Sequence, residues 1–278
     1  MYSNSIYLFG ATSIVGWNLF RIAPNKIVPY CNHNTKAEPC KAWRRLNLED
    51  QEEIKTVFSK NPPRTLIHCG GICDVEKCEK SPEWADSINV ESVANLLDHL
   101  PEQTRLIYCS SDHVFGRDGS YTEDSDPSPI SVYGQSKVEA ETIIQKRKAD
   151  SLIIRFGLPI GRSIDGRTGH LDWLLYRSKK GLPITIIRGE CRSAVWAEAL
   201  CRRILAFSQS SAVGIRHVQA SRVVSRIRLA KYLMRRLRIN PSFQIRHRHG
   251  ITIPHLGAIE LQTVFSDALS LPLPSVLD

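Results

Sequence analysis

With 278 residues, 42% of them hydrophobic, and a formal charge of +9, the chain is long enough to bury a large core and needs no second independent fold. No apolar stretch approaches the ~20 residues of a membrane span, and residues 1–5 place no basic run ahead of an apolar one, so neither a spanning helix nor a secretory leader is expected. Eight cysteines are too sparse for a disulfide scaffold in a chain of this length and fit a reducing cytoplasm.

Apolar strands alternate with helical patterns from the start. A strand at 5–9 turns through Phe9-Gly10-Ala11-Thr12-Ser13-Ile14-Val15-Gly16 into a helix over 14–22, followed by a strand at 26–30. Such a turn offers unpaired backbone N–H groups and a helix N-terminus to a pyrophosphate. Gly10 serves the tight turn and Gly16 the close helix packing, with Thr12 and Ile14 on the same loop. Ser13 stands where a middle glycine is usual, and its hydroxyl either reaches a phosphate or obstructs one. The second strand ends in Tyr30-Cys31-Asn32-His33-Asn34-Thr35-Lys36, with no acid before Glu38. An acid there would hold the adenosine ribose hydroxyls of NAD, so Asn32 and His33 favour NADP(H) over NAD(H).

Next come a helix over 51–60, a strand at 65–69 running into Gly70-Gly71, a helix over 83–100 and a strand at 105–109. Cys69, Cys73 and Cys78 are near in sequence, but no second pair follows at zinc-ribbon spacing, so no metal is expected. The strand at 105–109 delivers Ser110-Ser111-Asp112-His113-Val114-Phe115, and a helix from about 133 to 147 opens with Tyr133-Gly134-Gln135-Ser136-Lys137. Tyr133 and Lys137 share one helix face, and an ammonium beside a phenol favours the phenolate, drawing its pKa below ~10. Ser111 is placed to hold a substrate oxygen together with Tyr133. Singly, a Tyr at a helix start packs and a Ser after a strand caps; jointly they point to a site that reduces a carbonyl or oxidises an alcohol.

A strand at 151–156 extends the alternation, which argues a parallel sheet covered on both faces through right-handed crossovers. Ligands in such sheets sit at the carboxyl ends of the strands. The last third is basic: from 186 to 248, fourteen Lys or Arg face only Glu190 and Glu198. That charge suits an anionic substrate, a membrane surface or nucleic acid. A helix over 222–238 is expected to bury Val223, Ile227, Ala230, Met234 and Leu237, turning Arg222, Arg226, Arg228, Lys231, Arg235, Arg236 and Arg238 toward solvent. Without stacking aromatics beyond Tyr232, specific nucleic-acid recognition is not expected.

These motifs resemble the extended short-chain dehydrogenase/reductase family, and within it the dTDP-4-dehydrorhamnose reductases and their relatives. The likeness rests on Gly10-Ala11-Thr12 with Gly16, on Leu66-Ile67-His68-Cys69-Gly70-Gly71, and on Asp74-Val75-Glu76-Lys77-Cys78-Glu79. Ser110 to Phe115 is similar to the family's Ser-Thr-Asp-Tyr-Val-Phe, with Ser111 at the catalytic Thr. Asn47-Leu48-Glu49-Asp50 resembles the segment flanking the adenine, and the likeness continues through Tyr121-Thr122-Glu123-Asp124 and Tyr133-Gly134-Gln135-Ser136-Lys137-Val138-Glu139-Ala140-Glu141. It is strong to about residue 161 and thins afterwards.

The resemblance implies an α/β fold: a Rossmann-type, doubly wound parallel sheet over 1–160, and a small C-terminal substrate-binding lobe over 161–278 interleaved with the last strands and helices. It implies an NADP(H)-dependent reductase of a keto group on a nucleotide-activated sugar. Tyr133 would be the general acid, Lys137 would hold the nicotinamide ribose, Ser111 would orient the carbonyl, and Asp112 would support them. Cys69, Gly70 and Gly71 would lie beside the cofactor, Arg192 would reach a diphosphate bidentately, and the loop at 161–169 would border the substrate. At Ile253-Pro254-His255-Leu256-Gly257 the family carries an Arg-Pro pair, and here the Arg is missing. Two alternatives stay open: a ketoreductase of the same architecture on a non-nucleotide substrate, and a non-catalytic NADP-binding regulatory subunit of the kind found with methionine adenosyltransferase. The partner expected is a small anionic molecule, with a homodimer left open.

Overall fold

The computed structural model describes residues 3–278. Met1 and Tyr2, which the leader reading includes, lie outside the described residues. Short runs rich in Ile, Leu and Val make the strands, and Ser or Asp caps start several of the helices between them. In chain order the first half is β1 (Ser3–Phe9), α1 (Ile14–Ile22), β2 (Ile27–Cys31), β3 (Arg44–Arg45), α2 (Gln51–Lys60), β4 (Pro63–His68), α3 (Val75–Lys80), α4 (Pro82–Asp86), α5 (Ser92–His99), β5 (Arg105–Cys109), β6 (Gly119–Tyr121) and α6 (Val132–Arg147). The second half is β7 (Leu152–Phe156), β8 (Leu158–Ile160), α7 (Gly169–Lys179), β9 (Ile184–Arg188), β10 (Cys191–Trp196), α8 (Ala197–Ser208), β11 (Gly214–Val218), β12 (Val223–Ser225), α9 (Arg226–Leu237), β13 (Phe243–His247) and β14 (Ile259–Leu261).

Seven strands form one sheet in the order β11-β7-β5-β4-β1-β2-β3, and every neighbouring pair is parallel. This is the Rossmann-like α/β arrangement expected. Alternation along the strands sends Leu8, Ile67, Ile107 and Ile154 to one face, against Val15 and Leu19 of α1 and Leu200 and Ile204 of α8. Tyr7, Phe9, Leu66, Leu106 and Ile153 go to the other, against Ile54, Phe58, Leu96 and Ile144 of α2, α5 and α6. Burial on both faces is why these strands read as continuous apolar runs.

The chain order reverses at β1, whose neighbours β2 and β4 follow in opposite directions, and a cleft opens there at the strand ends. Above it, β8, β10 and β12 make a small sheet, and Leu158, Ile160, Leu174, Ile184, Ile186, Leu229 and Leu233 fill a separate core. β11 returns to the large sheet. Among the described residues no helix is long and apolar enough to cross a membrane.

Two elements differ from expectation. The helix expected over 83–100 is α4, a π turn at Ser87–Glu91, and α5. The basic helix starts at Arg226, because Val223–Ser225 pairs with β10. Its buried stripe is Leu229, Ala230, Leu233 and Met234, so Val223 is no part of it.

Candidate functional site

The cleft occupies about 820 Å³, within the usual range of ligand pockets. Its floor is the β1–α1 turn. Gly10 has φ 72°, and a Cβ there would stand 2.2 Å from the backbone nitrogen of Gly70, so only glycine lets the ends of β1 and β4 approach. Ser13 is the N-cap of α1: its Oγ accepts from the Gly16 N–H at 3.0 Å, leaving the hydroxyl proton to donate elsewhere. No acid stands in the first turn of α1, so the positive end of the helix dipole is uncompensated. Gly10, Thr12, Ser13, Ile14 and Asn32 line the cleft, as do Cys69, Gly70 and Gly71 at the adjoining end of β4. Gly16 packs beneath. The segment Leu46 to Glu49 closes the far end.

His33 is a correction. It is not among the lining residues; its Nε2 meets the Glu53 carboxylate at 2.9 Å on the surface. Instead Arg45 reaches under the loop, donating from Nη1 to the carbonyls of Asn32 at 3.0 Å and Thr35 at 3.1 Å. The β2–β3 pairing that brings it there is invisible in a two-residue strand.

On the other wall, the π turn aims Asn89 inward. Its amide accepts from the Ile72 N–H at 2.7 Å and donates to the Ile72 carbonyl and Ser136 Oγ, both at 3.0 Å, clamping the loop after Gly71. Ser131 caps α6 by accepting from the Gly134 N–H at 3.0 Å. A Cβ on Gly134 would come within 2.3 Å of the His113 carbonyl oxygen, so glycine there lets α6 press Tyr133 onto the Ser111–His113 turn. Behind it, Arg155 and Glu141, each 2% exposed, are joined by contacts of 2.6 and 3.1 Å. The Ser110 hydroxyl donates to the same carboxylate, tying α6 to β7 and to the residue beside Ser111.

Ser111, Tyr133 and Lys137 thus line one wall, all buried. Lys137 Nζ donates to the Tyr108 hydroxyl at 2.9 Å and stands 6.0 Å from the centroid of the Tyr133 ring. Burial raises the Tyr133 phenol to about 12, with Lys137 and a Ser111 hydrogen bond pulling the other way. The direction is opposite to the expected lowering: desolvation in a closed cleft disfavours the phenolate more than one ammonium favours it. Tyr133 therefore stays protonated at neutral pH.

Arg192 also departs from expectation. Its guanidinium is already engaged bidentately by Asp112, with Nε 2.7 Å from Oδ2 and Nη2 on Oδ1, and Nη1 lies 3.3 Å from His113 Nε2. The fork expected for a diphosphate holds Asp112 in place, and a fully buried carboxylate would not be stable without it. The lobe end of the cleft adds residues the sequence did not assign to the site: Glu190, His170 and His255 line it with Arg226. Arg192, Arg226 and His255 hold the Glu190 carboxyl far below its ordinary range despite burial. Of the loop at 161–169, Thr168 and Gly169 reach the cleft, whereas Arg162 pairs with Asp172 at 2.7 Å. The three clustered cysteines part company: Cys69 Sγ touches Cys109 Sγ at 3.3 Å, Cys73 is exposed and Cys78 is buried.

The fold is shared with dTDP-4-dehydrorhamnose reductase from Bacillus anthracis solved in complex with NADP, at a TM-score of 0.82 over 99% of this chain and 96% of that one, with 20% identity. In sequence the chain is similar to methionine adenosyltransferase 2 subunit beta from Danio rerio, 28% identical over 56% of this chain and 48% of the relative. It is also similar to the probable low-salt glycan biosynthesis reductase Agl14 of Haloferax volcanii, 24% identical over 65% of this chain and 62% of the relative. The chain spans about half the length of the first of these relatives. The family model for the RmlD substrate binding domain matches residues 4–272, which takes in both the strand-end cleft and the lobe above it, and the chain belongs to that family.

Proposed function

We propose that the protein is an NADP(H)-dependent reductase of a keto group on a nucleotide-activated sugar. The observation that carries this reading is the convergence of Ser111, Tyr133 and Lys137 on one cleft wall, opposite the turn at Gly10 and the N-terminus of α1. The first turn of α1 and the Ser13 hydroxyl would hold the pyrophosphate. Lys137 would reach the nicotinamide ribose, and Asn32, on the loop that Arg45 braces, would lie beside the adenosine ribose and its 2′-phosphate. The bound nicotinamide supplies the hydride. Ser111 donates to the carbonyl oxygen and orients it, and Tyr133 gives that oxygen its proton. Asp112, locked by Arg192, fixes the Ser111 turn.

A second reading, a regulatory subunit that binds the dinucleotide without turnover, is favoured by the named subunit among the relatives. Following NADPH absorbance with a panel of sugar nucleotides separates the two. Turnover on one of them supports the reductase; tight NADPH binding with no turnover across the panel supports the subunit. Titration calorimetry should find NADPH binding at least about tenfold tighter than NADH, the value of one charge-assisted contact. Equal affinities would remove the NADP(H) preference.

A further inference from the structure

Two thiols meet at the floor of the cleft. β4 and β5 run parallel with Ile67 beside Ile107 and His68 beside Tyr108, so the next register position brings Cys69 beside Cys109, on the face that carries Ile67 and Ile107. The Cys69 thiol donates to the Cys109 sulfur at 3.3 Å, and both residues line the cleft. Cys69 is half-buried and Cys109 buried, so a reagent in the cleft meets Cys69 first. The other thiols on this side of the sheet have partners of their own: Cys201 donates to the Val15 carbonyl at 3.3 Å, and Cys31 stands 3.3 Å from Arg45 Nη1.

Little movement would join the pair. Neighbouring strands stand ~4.8 Å apart, inside the Cα separation of roughly 4.4–6.8 Å that a disulfide spans. Bonded sulfurs lie ~2.05 Å apart, so from their 3.3 Å contact the two must approach by roughly 1.3 Å. That approach pulls on the residues that shape the cofactor half. The Cys69 N–H donates to the Phe9 carbonyl at 2.9 Å, Gly70 abuts Gly10 too closely to admit a Cβ, and Cys109 leads directly into Ser110 and Ser111. The contact with Cys109 and burial push the Cys69 thiol well above its ordinary range. The resting pair is therefore a dithiol, and it exchanges only through a scarce thiolate.

We propose that Cys69 and Cys109 form a modification site for small-molecule disulfides, and that closure of this pair and dinucleotide binding exclude each other. The Cys69 thiolate attacks one sulfur of the reagent, forming a mixed disulfide and expelling one thiolate. The Cys109 thiolate then attacks Cys69 Sγ and expels the second. The protein thiols lose two electrons and two protons, and the reagent disulfide is reduced to two thiols. The exclusion rests on the dinucleotide reading of the cleft given above; the bond between β4 and β5 does not.

The test incubates the reduced full chain with oxidised glutathione at mildly alkaline pH and reads the intact mass and the disulfide-linked peptides. Loss of two hydrogens, no retained glutathione and a peptide link between Cys69 and Cys109 are expected. Saturating NADP⁺ should slow closure about tenfold or more, and the closed protein should bind NADPH about tenfold or more weakly until dithiothreitol reopens it. Cys109→Ser, which cannot complete the second exchange, should keep one glutathione on Cys69, whereas Cys191→Ser, outside the cleft, should close as the parent does. No link in the parent, or a link through other cysteines such as Cys73, overturns the site and leaves the reductase reading standing. Closure at the same rate with and without bound NADP⁺, or unchanged NADPH affinity in the closed protein, overturns the exclusion. Closure in a protein that binds neither NADP⁺ nor NADPH keeps the site and overturns the dinucleotide reading.

Discussion

Tyr133 is at once buried and protonated, which suits a group that must deliver a proton rather than accept one. Its phenol, raised to about 12 by burial, is a donor across the physiological range. Tyr133→Phe keeps the ring against His113, whose centroid is 5.0 Å away, and removes only the hydroxyl. Turnover should fall about 10²- to 10⁴-fold, the usual contribution of a positioned general acid, while thermal unfolding barely moves. Near-parental turnover on the true substrate would remove Tyr133 from the mechanism. Lys137→Met should differ in kind, lowering both turnover and NADPH affinity, since one ammonium serves both. At this scale the sequence was readable where a motif is local: the Tyr-Lys spacing and the glycine turn each sit within one helical turn or loop. Arg192 was misread because the partner that claims its guanidinium, Asp112, is 80 positions away. His33 was misread for the same reason, its partner Glu53 arriving from α2.

Among the elements, α6 carries Tyr133 and Lys137 of the proposed site, and one buried ion pair fixes it. Arg155 on β7 and Glu141 on α6 pair almost out of reach of solvent through Nε and Nη2 of the guanidinium, with Ser110 adding a further contact to the carboxylate. Such a pair is weak evidence for net stability, but removing one member leaves an uncompensated buried charge, at a cost of about 3–5 kcal/mol. Arg155→Leu should therefore lower the thermal midpoint markedly, and Arg155→Leu with Glu141→Leu should recover much of the loss; a single variant as stable as the parent would contradict this. Strand and helix alternation was legible because each strand is apolar on both faces. The π turn was not, because it exists to aim Asn89 at Ile72, and nothing in the spacing of 83–100 shows where that loop lies. The start of α9 was set too early because Val223 reads equally well on a helix or a strand, and only β10 decides.

Across the whole molecule, buried histidines set the response to acid. Burial depresses His68 to about 3 and His217 to about 4; both are nearly inaccessible. Between these values and the ordinary 6.5 the unfolded chain binds protons that the folded chain does not, so stability rises with pH in that window and is lost as pH falls. The thermal midpoint should drop progressively from pH 6.5 to 4. A midpoint level over that range would mean that these two histidines gain protons without unfolding.

The excess positive charge has a separate address. Leu229, Ala230, Leu233 and Met234 face the lobe core, while Arg228, Lys231, Arg235 and Arg236 stand exposed on the far side of α9. None of these four has a carboxylate within 4.0 Å among the described residues. Arg236 carries its guanidinium over the Trp196 ring, 4.9 Å from its centroid, a cation–π contact. The cleft draws only Arg226 from this helix, so the exposed cations act on it only as a long-range field. Replacing Arg228, Arg235 and Arg236 together by Gln should leave turnover and NADPH affinity within about twofold, because none of the three lines the cleft and exposed charges act through solvent and salt that screen them over ~8 Å. Any binding of duplex DNA by the parent should be weak, near 10⁻⁴–10⁻⁶ M, and should fall steeply with salt as counterions compete for the phosphates. Filter or anisotropy titrations at two salt concentrations measure this directly. Binding at ~10⁻⁸ M that resists salt and selects sequence belongs to base readout, and finding it would make this face of α9 a recognition surface rather than a solvated one.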